Sequence, residues 1–383
     1  MFRRDSVLCP LHSETAVWYN RRMQTKLEQI SKWVRMCALA LCGLALGCTS
    51  VPSTAKPVAV IYDTDMLLDC GDAGGLACLH VLADQGLCEI AATVSCTTGN
   101  ASVACCEAIN HWFGRTLIPI GCVWDGAVEP KLPGHLAVQD PHAKFRAVAK
   151  KYDRFVCYAD SSRAPNATEV CCEALADRPD GSVVLCCVGY LTNVRNLLRA
   201  DRDLVARKVK RLVVMGGRFP RGAEFNLSGD AAATREVLAD WPTEIVFCGT
   251  DVGRAVCTGR RMVDDAKVKG PVKDLYELAL KDNAPCDNAD GHPSWDPITA
   301  LVAVDALEGL VRLERGVLAA EADGQTFAWT GQADGRHARV VLTAPPETVR
   351  RRIDELFAQQ PDESRCRSVT SHGPVGGCWR SAR

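Results

Sequence analysis

The chain has 383 residues, of which 47% are hydrophobic and 24% charged, and its formal net charge is −1. That balance suits a globular protein with a sizeable core, in one large domain or two, and it gives no electrostatic footprint for nucleic acid. Aromatic residues make up only 6%, which argues against stacking platforms for single strands.

The first organised segment is a targeting signal. Residues 33–48 read WVRMCALALCGLALGC. A basic flank (Lys26, Lys32, Arg35) precedes an apolar stretch from Met36 to Leu46, followed by Gly47, Cys48 and a polar run. This is the layout of a secretory signal, too short to span a bilayer comfortably. The ALGC end resembles a bacterial lipobox, which would make Cys48 the lipidated first residue of the mature protein. Plain cleavage to a soluble secreted form is the alternative. Either route places the protein outside the inner membrane, in the periplasm or cell envelope. Residues 1–22 do not look like a signal, and Met23 or Met36 is an alternative start.

From residue 57 apolar runs alternate with helical patterns. VAVIYDTD (58–65) is a buried strand by its continuous β-branched run. GLACLHVLADQG (75–86) has helical spacing and a glycine stop, EIAATVSC (89–96) is a strand, ASVACCEAINHWFG (101–114) a helix and LIPIGCV (117–123) a strand. ATEVCCEALADRP is helical, SVVLCCVG (182–189) a strand, and LTNVRNLLRA opens a helix. RLVVMGG (211–217) is a strand, AAATREVLADW a helix and EIVFCGTD (244–251) a strand. The alternation predicts an α/β fold with a predominantly parallel central sheet flanked by helices, a Rossmann-like core. Ligands of such sheets sit at the carboxyl ends of the strands. After a helix over DPITALVAVDALEG (296–309), the runs LERGVLAAEADG, QTFAWT and ARVVLTAP read as short strands and PETVRRRIDELFAQQ as a closing helix, a small C-terminal β/α extension.

Cysteine is abundant, at 21 residues, with no C-x-x-C zinc pair. Most lie in apolar runs such as VVLCCVGYL, where cysteine acts as a small buried hydrophobe. One or two disulfides remain open in an exported chain.

The chemistry gathers behind the first strand, in Asp63-Thr64-Asp65-Met66-Leu67-Leu68-Asp69-Cys70-Gly71-Asp72. Four carboxylates this close raise one another's pKa unless a cation or hydrogen bonds hold them ionised. A hard divalent ion such as Ca²⁺, with six to eight oxygen ligands, is the simple remedy. A solvated acidic turn, with Asp72 as a helix cap, is the plain structural reading. The D-x-D pair also suggests the nucleophile of haloacid-dehalogenase-like phosphatases, but Met66 stands where that family wants Thr or Val.

These residues carry a resemblance. VAVIYDTDMLLDCGDAGGLACLHVLAD is similar to the opening signature of inosine–uridine-preferring nucleoside hydrolases, closest to a bacterial branch reading DTDM…D-C-D-D-A-G-A-L. VGYLTNVRNLL resembles the family's G-P-L-T-N segment, VKRLVVMGG its M-G-G strand, AEFNLSGDAAA its E-F-N…D-P-x-A-A and SWDPITALVAV its late D-P helix. The likeness covers roughly residues 57–360. With the signal and linker over 1–52 set aside, it implies a hydrolase domain over 53–361, and the polar Gly-, Ser- and Arg-containing run 362–383 reads as a disordered tail. The likeness also implies calcium-dependent hydrolysis of the N-glycosidic bond of a ribonucleoside or related N-riboside. Asp65 would ligate Ca²⁺ and take a proton from the attacking water. Asp72 and Asp296 would be further ligands, and Thr192 would lend its carbonyl. Asp63 and Asp69 would support them. Glu224 and Asn226 would bind ribose, with Asn100 and Met215 lining the pocket and Trp295 beside the base. The partners expected are a small N-riboside and a second copy of the chain, as in dimeric or tetrameric relatives. No nucleic acid is expected, and membrane contact only through the lipid.

Each residue also has a plain reading: Glu224 and Asn226 as a loop pair with Asn226 capping a helix, Asp296-Pro297 as a helix start, Thr192 as a cap, Met215 as core. Two departures matter. Gly71 stands where the family has a ribose-binding aspartate, a loss of about 1.5–3 kcal/mol of sugar binding. That substitution opens the alternative of an impaired nucleoside- or sugar-binding lipoprotein of the same fold. Trp295 replaces a histidine that protonates the departing base in some relatives. His111 and His292 are chemical candidates for that acid, and Arg218 or Arg221 for contact with an anion.

Overall fold

The computed structural model describes residues 56–99, 101–128, 140–282, 284 and 286–361. Cys48, Asn100 and the expected leader and tail lie outside these residues. In chain order the strands are β1 (Val58–Thr64), β2 (Cys88–Ser95), β3 (Ile120–Cys122), β4 (Val183–Cys187), β5 (Val209–Met215), β6 (Arg221–Gly222), β7 (Glu244–Cys248), β8 (Cys257–Gly259), β9 (Gly291–Pro293), β10 (Val311–Ala320), β11 (Phe327–Gly331) and β12 (His337–Leu342). Ten join one sheet in the order β3-β2-β1-β4-β5-β7-β12-β10-β11-β6, while β8 and β9 form an antiparallel ribbon of their own. Pairing is parallel from β3 through β12 and antiparallel from β12 to β6. The C-terminal strands therefore lengthen the main sheet, because β12 hydrogen-bonds directly to β7.

The helices that matter for the site are α1 (Gly71–Asp84), α2 (Ser102–Trp112), α3 (Ala167–Ala176), α4 (Thr192–Ala200), α5 (Phe225–Gly229), α6 (Ala231–Asp240), α7 (Trp295–Ala303) and α8 (Pro346–Phe357). They cover both faces of the sheet, so its central strands are apolar on both sides. In β1, Val60 and Tyr62 pack with residues of α1, α2, α7 and α8, whereas Ala59 and Ile61 pack with residues of α3, α4 and α6. The period-two alternation thus splits one hydrophobic run between two cores. No helix among the described residues is long and apolar enough to cross a membrane.

Several boundaries differ from the sequence reading, among them the helix expected over 296–309, which ends at Ala303. α1 begins at Gly71, four residues before the helical pattern at residue 75, because the glycines of GDAGG take helical geometry where α7 packs against them. Of LIPIGCV only Ile120–Cys122 pairs, and Leu117 stands 80% exposed. EIVFCGTD leaves the sheet at Cys248, and a helix starts at Thr250. The described cysteines are free thiols, most of them buried, and none forms a disulfide.

Candidate functional site

β1 delivers Asp63 to the carboxyl end of the sheet beside Cys187 of β4. There the Asn193 side chain donates to Asp63 Oδ1 at 2.9 Å, and the Cys187 thiol lies 3.7 Å from Oδ2. Burial pushes the Asp63 carboxyl up to about 7, although both partners pull it down. The following loop turns sharply. Met66 (φ 43°) and Leu68 (φ 69°) take left-handed conformations that cost non-glycine residues about 1–3 kcal/mol each. Local bonds hold that shape: Leu67 N–H donates to Asp65 Oδ1 at 3.2 Å, Gly71 N–H to Asp69 Oδ1 at 2.7 Å and Thr97 Oγ1 to the Asp65 carbonyl at 2.7 Å.

α1 then places Asp72 in its first turn, where the helix dipole favours a carboxylate. Tyr62 Oη donates to the Asp72 carbonyl at 2.7 Å, and Thr64 Oγ1 donates to the Asp72 carboxylate. α7 brings Asp296 in the same way, from its own first turn. The two helix starts approach closely because α1 carries glycines there. A Cβ on Gly74 would stand 3.2 Å from Pro297 Cγ, and one on Gly75 would stand 3.1 Å from the Asp296 carbonyl. A ligating oxygen from each of Asp69, Asp72 and Asp296 lies within 4.8 Å of the other two. Asp65 stands near enough to this group for the charges of Asp72, Asp296 and Asp69 to act on it.

The electrostatics follow from this crowding. Burial, and then the charges of neighbouring aspartates, push Asp65, Asp72 and Asp296 above the usual carboxylate range. Asp69 goes the other way. Burial works to raise it, but His292, the Gly71 N–H and Lys144 together bring it below its ordinary value. Four converging carboxyl groups, three of them short of countercharge, are a donor set suited to a hard divalent cation.

The remaining sequence candidates fall around the same strand ends. Met215 ends β5, and the Asn226 amide donates to its carbonyl and its sulfur, both at 3.2 Å, and to the Val188 carbonyl at 3.0 Å. Glu224, not Asn226, caps α5: its carboxylate accepts from the N–H groups of Asn226 (3.0 Å), Leu227 (3.0 Å) and Gly217 (3.4 Å). Thr192 opens α4 but does not cap it. Its hydroxyl donates to Asp230 at 2.8 Å, and Arg195 pairs with the same carboxylate at 3.2 Å, so only the Thr192 carbonyl is left for an ion. Trp295 Nε1 donates to the Thr250 carbonyl at 3.0 Å. Arg221 is engaged by Glu321.

The two histidines separate. His111 lies in the last turn of α2, about 14 Å of helix beyond Ser102, which marks the site end by its bond to Ser95. It is therefore at the wrong end of the sheet. His292 is buried beside the aspartates, with Nδ1 2.7 Å from Asp287 Oδ1 and Nε2 3.5 Å from Asp69 Oδ2. A groove of about 890 Å³ bounded by Glu89, Arg115 and Leu117 also lies at that far end, and has none of this chemistry.

A family model described as inosine-uridine preferring nucleoside hydrolase matches residues 60–351. The chain belongs to this family. Three solved structures share its fold. "Inosine-Guanosine Nucleoside Hydrolase (IG-NH)" matches with a TM-score of 0.58 at 18% identity, over 79% of this chain and 98% of that one. The inosine-uridine preferring nucleoside hydrolase from Bacillus anthracis matches at 0.56 and 18%, over 78% and 99%. The type III effector XopQ, complexed with adenosine diphosphate ribose, matches at 0.55 and 14%, over 79% and 92%. Among curated proteins none matches the chain by sequence. Tyr190 stands in the proline place of the G-P-L-T-N segment that this part of the sequence resembles. Its ring is fully buried, 5.5 Å from Phe225, and its hydroxyl has no hydrogen-bond partner among the described residues. Sequence reading passed over Tyr190, and the departure from that motif was the available signal. It also passed over Asp287, for which no motif gave one.

Proposed function

We propose that this chain hydrolyses the N-glycosidic bond of a ribonucleoside or related N-riboside, with calcium held at the carboxyl ends of β1 and β4. The observation that carries this reading is the convergence of Asp69, Asp72 and Asp296 beside Asp65. Asp65, Asp72 and Asp296 would hold the ion with the Thr192 carbonyl, and Asp69 joins them rather than only supporting them. Bound calcium would supply the positive charge that keeps these carboxylates ionised and eases deprotonation of water.

The chain's own residues do the rest. Asp65 takes a proton from the attacking water. The carboxylates beneath the sugar stabilise positive charge as the anomeric carbon approaches an oxocarbenium ion. Glu224 is locked by three backbone N–H groups and Asn226 by two carbonyls, so both meet the ribose hydroxyls with little freedom left to lose. Trp295 offers a ring surface for the base and no proton, since its N–H is already bonded. The family match displaces the dehalogenase-like alternative. ADP-ribose, bound by the effector of similar fold, widens the panel of N-ribosyl and ribosyl compounds worth trying. The signal over residues 33–48 supports an exported protein anchored through Cys48.

The test is a panel of purine, pyrimidine and other N-ribosides assayed for reducing sugar with calcium present. Asp65→Asn should lower turnover by about 10²–10⁴-fold. A calcium-loaded protein that releases no sugar from any of them would overturn the reading.

A further inference from the structure

We propose a second metal site, separate from the aspartate cluster, formed by Cys286, Asp287 and His292 and suited to Zn²⁺ or a similar borderline-soft ion. It does not depend on the nucleoside hydrolase reading.

The frame is built by a short return of the chain. Asn288 and Gly291 exchange backbone hydrogen bonds at 3.0 and 3.1 Å, and Asn288 Oδ1 accepts from Asp290 N–H at 2.8 Å. β9 then runs antiparallel to β8, with His292 opposite Thr258. This turn folds Cys286 and Asp287 back over His292. The Ala284 N–H donates to Asp287 Oδ2 at 3.1 Å and fixes that carboxylate.

One donor atom from each of the three side chains lies within 4.8 Å of the others. Cys286 Sγ is 3.9 Å from Asp287 Oδ1, and His292 Nδ1 is 2.7 Å from the same oxygen. A tetrahedral ion with bonds of about 2.0 Å to nitrogen and oxygen and about 2.3 Å to sulfur spaces its donors about 3.3–3.7 Å apart. The sulfur–oxygen pair is already near that span. The nitrogen–oxygen pair needs to open by about 0.6 Å as an ion replaces the shared proton.

The donor chemistry separates this site from its neighbour. The aspartate cluster offers carboxylate oxygens, which suit a hard cation. A thiolate, an imidazole and one carboxylate favour zinc-like ions. Three protein ligands also leave a fourth position open.

The fourth observation is the far side of the imidazole. His292 is 3% exposed, and its Nε2 has no well-aligned hydrogen-bond partner, yet it lies 3.5 Å from Asp69 Oδ2. An ion on Nδ1 leaves Nε2 carrying the hydrogen and aimed at Asp69. That is the metal–histidine–carboxylate arrangement in which the carboxylate orients the ligand ring. Asp69 would then steady both sites at once. Cys286 is half-buried, so the site has an entry from solvent.

The test uses the full chain, stripped of metal under a phosphine reductant and reloaded with excess Ca²⁺, then titrated with Co²⁺. The expected result is one Co²⁺ retained per chain, with a near-ultraviolet thiolate-to-cobalt band and the visible spectrum of a tetrahedral ion. Zn²⁺ should displace it. Cys286→Ser should abolish the near-ultraviolet band, and Asp287→Asn should weaken cobalt binding, while both variants bind calcium as the parent does. Two results would overturn the proposal: no stoichiometric Co²⁺ in the parent, or an unchanged sulfur band in Cys286→Ser.

Discussion

A Cβ placed on Gly71 would collide with Oδ2 of Asp296 and stand 3.1 Å from Oδ1 of Asp69. Gly71 therefore does more than mark a missing carboxylate. The space an aspartate side chain would need is held by Asp296, and Asp69, two residues earlier, already brings its carboxylate to the cluster.

Restoring the family's aspartate with Gly71→Asp should do harm. Forcing extra atoms into a packed site costs about 1–3 kcal/mol, and here the displaced atoms are oxygens proposed to hold the ion. We expect a lower melting temperature, weaker calcium binding by calorimetry and no gain in sugar release. Higher activity in this variant would restore the reading of Gly71 as a simple loss.

Calcium should stabilise the protein more at high pH than at low. The Asp63 carboxyl is raised from 3.8 to about 7 by burial, and Asp72 is raised by burial and by Asp69. Between those values the folded, ion-free chain binds more protons than the unfolded chain. Its stability from these groups is therefore lost as pH rises from about 4 toward about 7. A cation held by Asp72 and close to Asp63 favours the ionised form of both, so its binding strengthens over the same interval. Melting temperatures in chelator and in calcium, at pH 5 and pH 8, measure the difference. An equal gain from calcium at both pH values would contradict the assignment.

Tyr190→Phe separates a structural role from a binding one. The Tyr190 hydroxyl is buried without a partner and lies within the field of Asp65 and Glu224. Removing an unsatisfied buried hydroxyl should leave the fold as stable or slightly more so. If the hydroxyl bonds a ribose oxygen, KM should rise up to about tenfold, matching one hydrogen bond of about 0.5–1.5 kcal/mol, with little change in kcat. An unchanged KM would make Tyr190 a packing residue.

Cys48→Ala tests the anchor. In a bacterial host the parent should label with radioactive palmitate and fractionate with membranes, and the variant should do neither. Unlabelled parent protein in the soluble fraction would favour plain cleavage.

Much of the site was legible because its signals are local. The run VAVIYDTD declares a buried strand by composition, and the aspartates that follow declare unbalanced charge by proximity in sequence. Thr192 and Glu224 were harder. The plain reading of Thr192 is a cap, whereas its hydroxyl bonds to Asp230, 38 positions away. The cap of α5 is Glu224, because its longer side chain folds back onto the next N–H groups where Asn226 turns inward to Met215 and Val188. His111 and His292 look alike as letters, and only the direction of α2 and the pairing of β9 put one far from the aspartates and the other beside them.

The sequence alone determined the layering of this protein: strand and helix periods are short-range properties, and they yield a parallel sheet with its acidic loop at the carboxyl end of β1. What the tertiary structure decided was which carboxylates meet. Asp69 and Asp296 are 227 positions apart, and their approach depends on α1 and α7 packing through small residues in the first turn of α1. No local pattern encodes that contact, because a glycine records only the absence of a side chain and not the atom that fills its place.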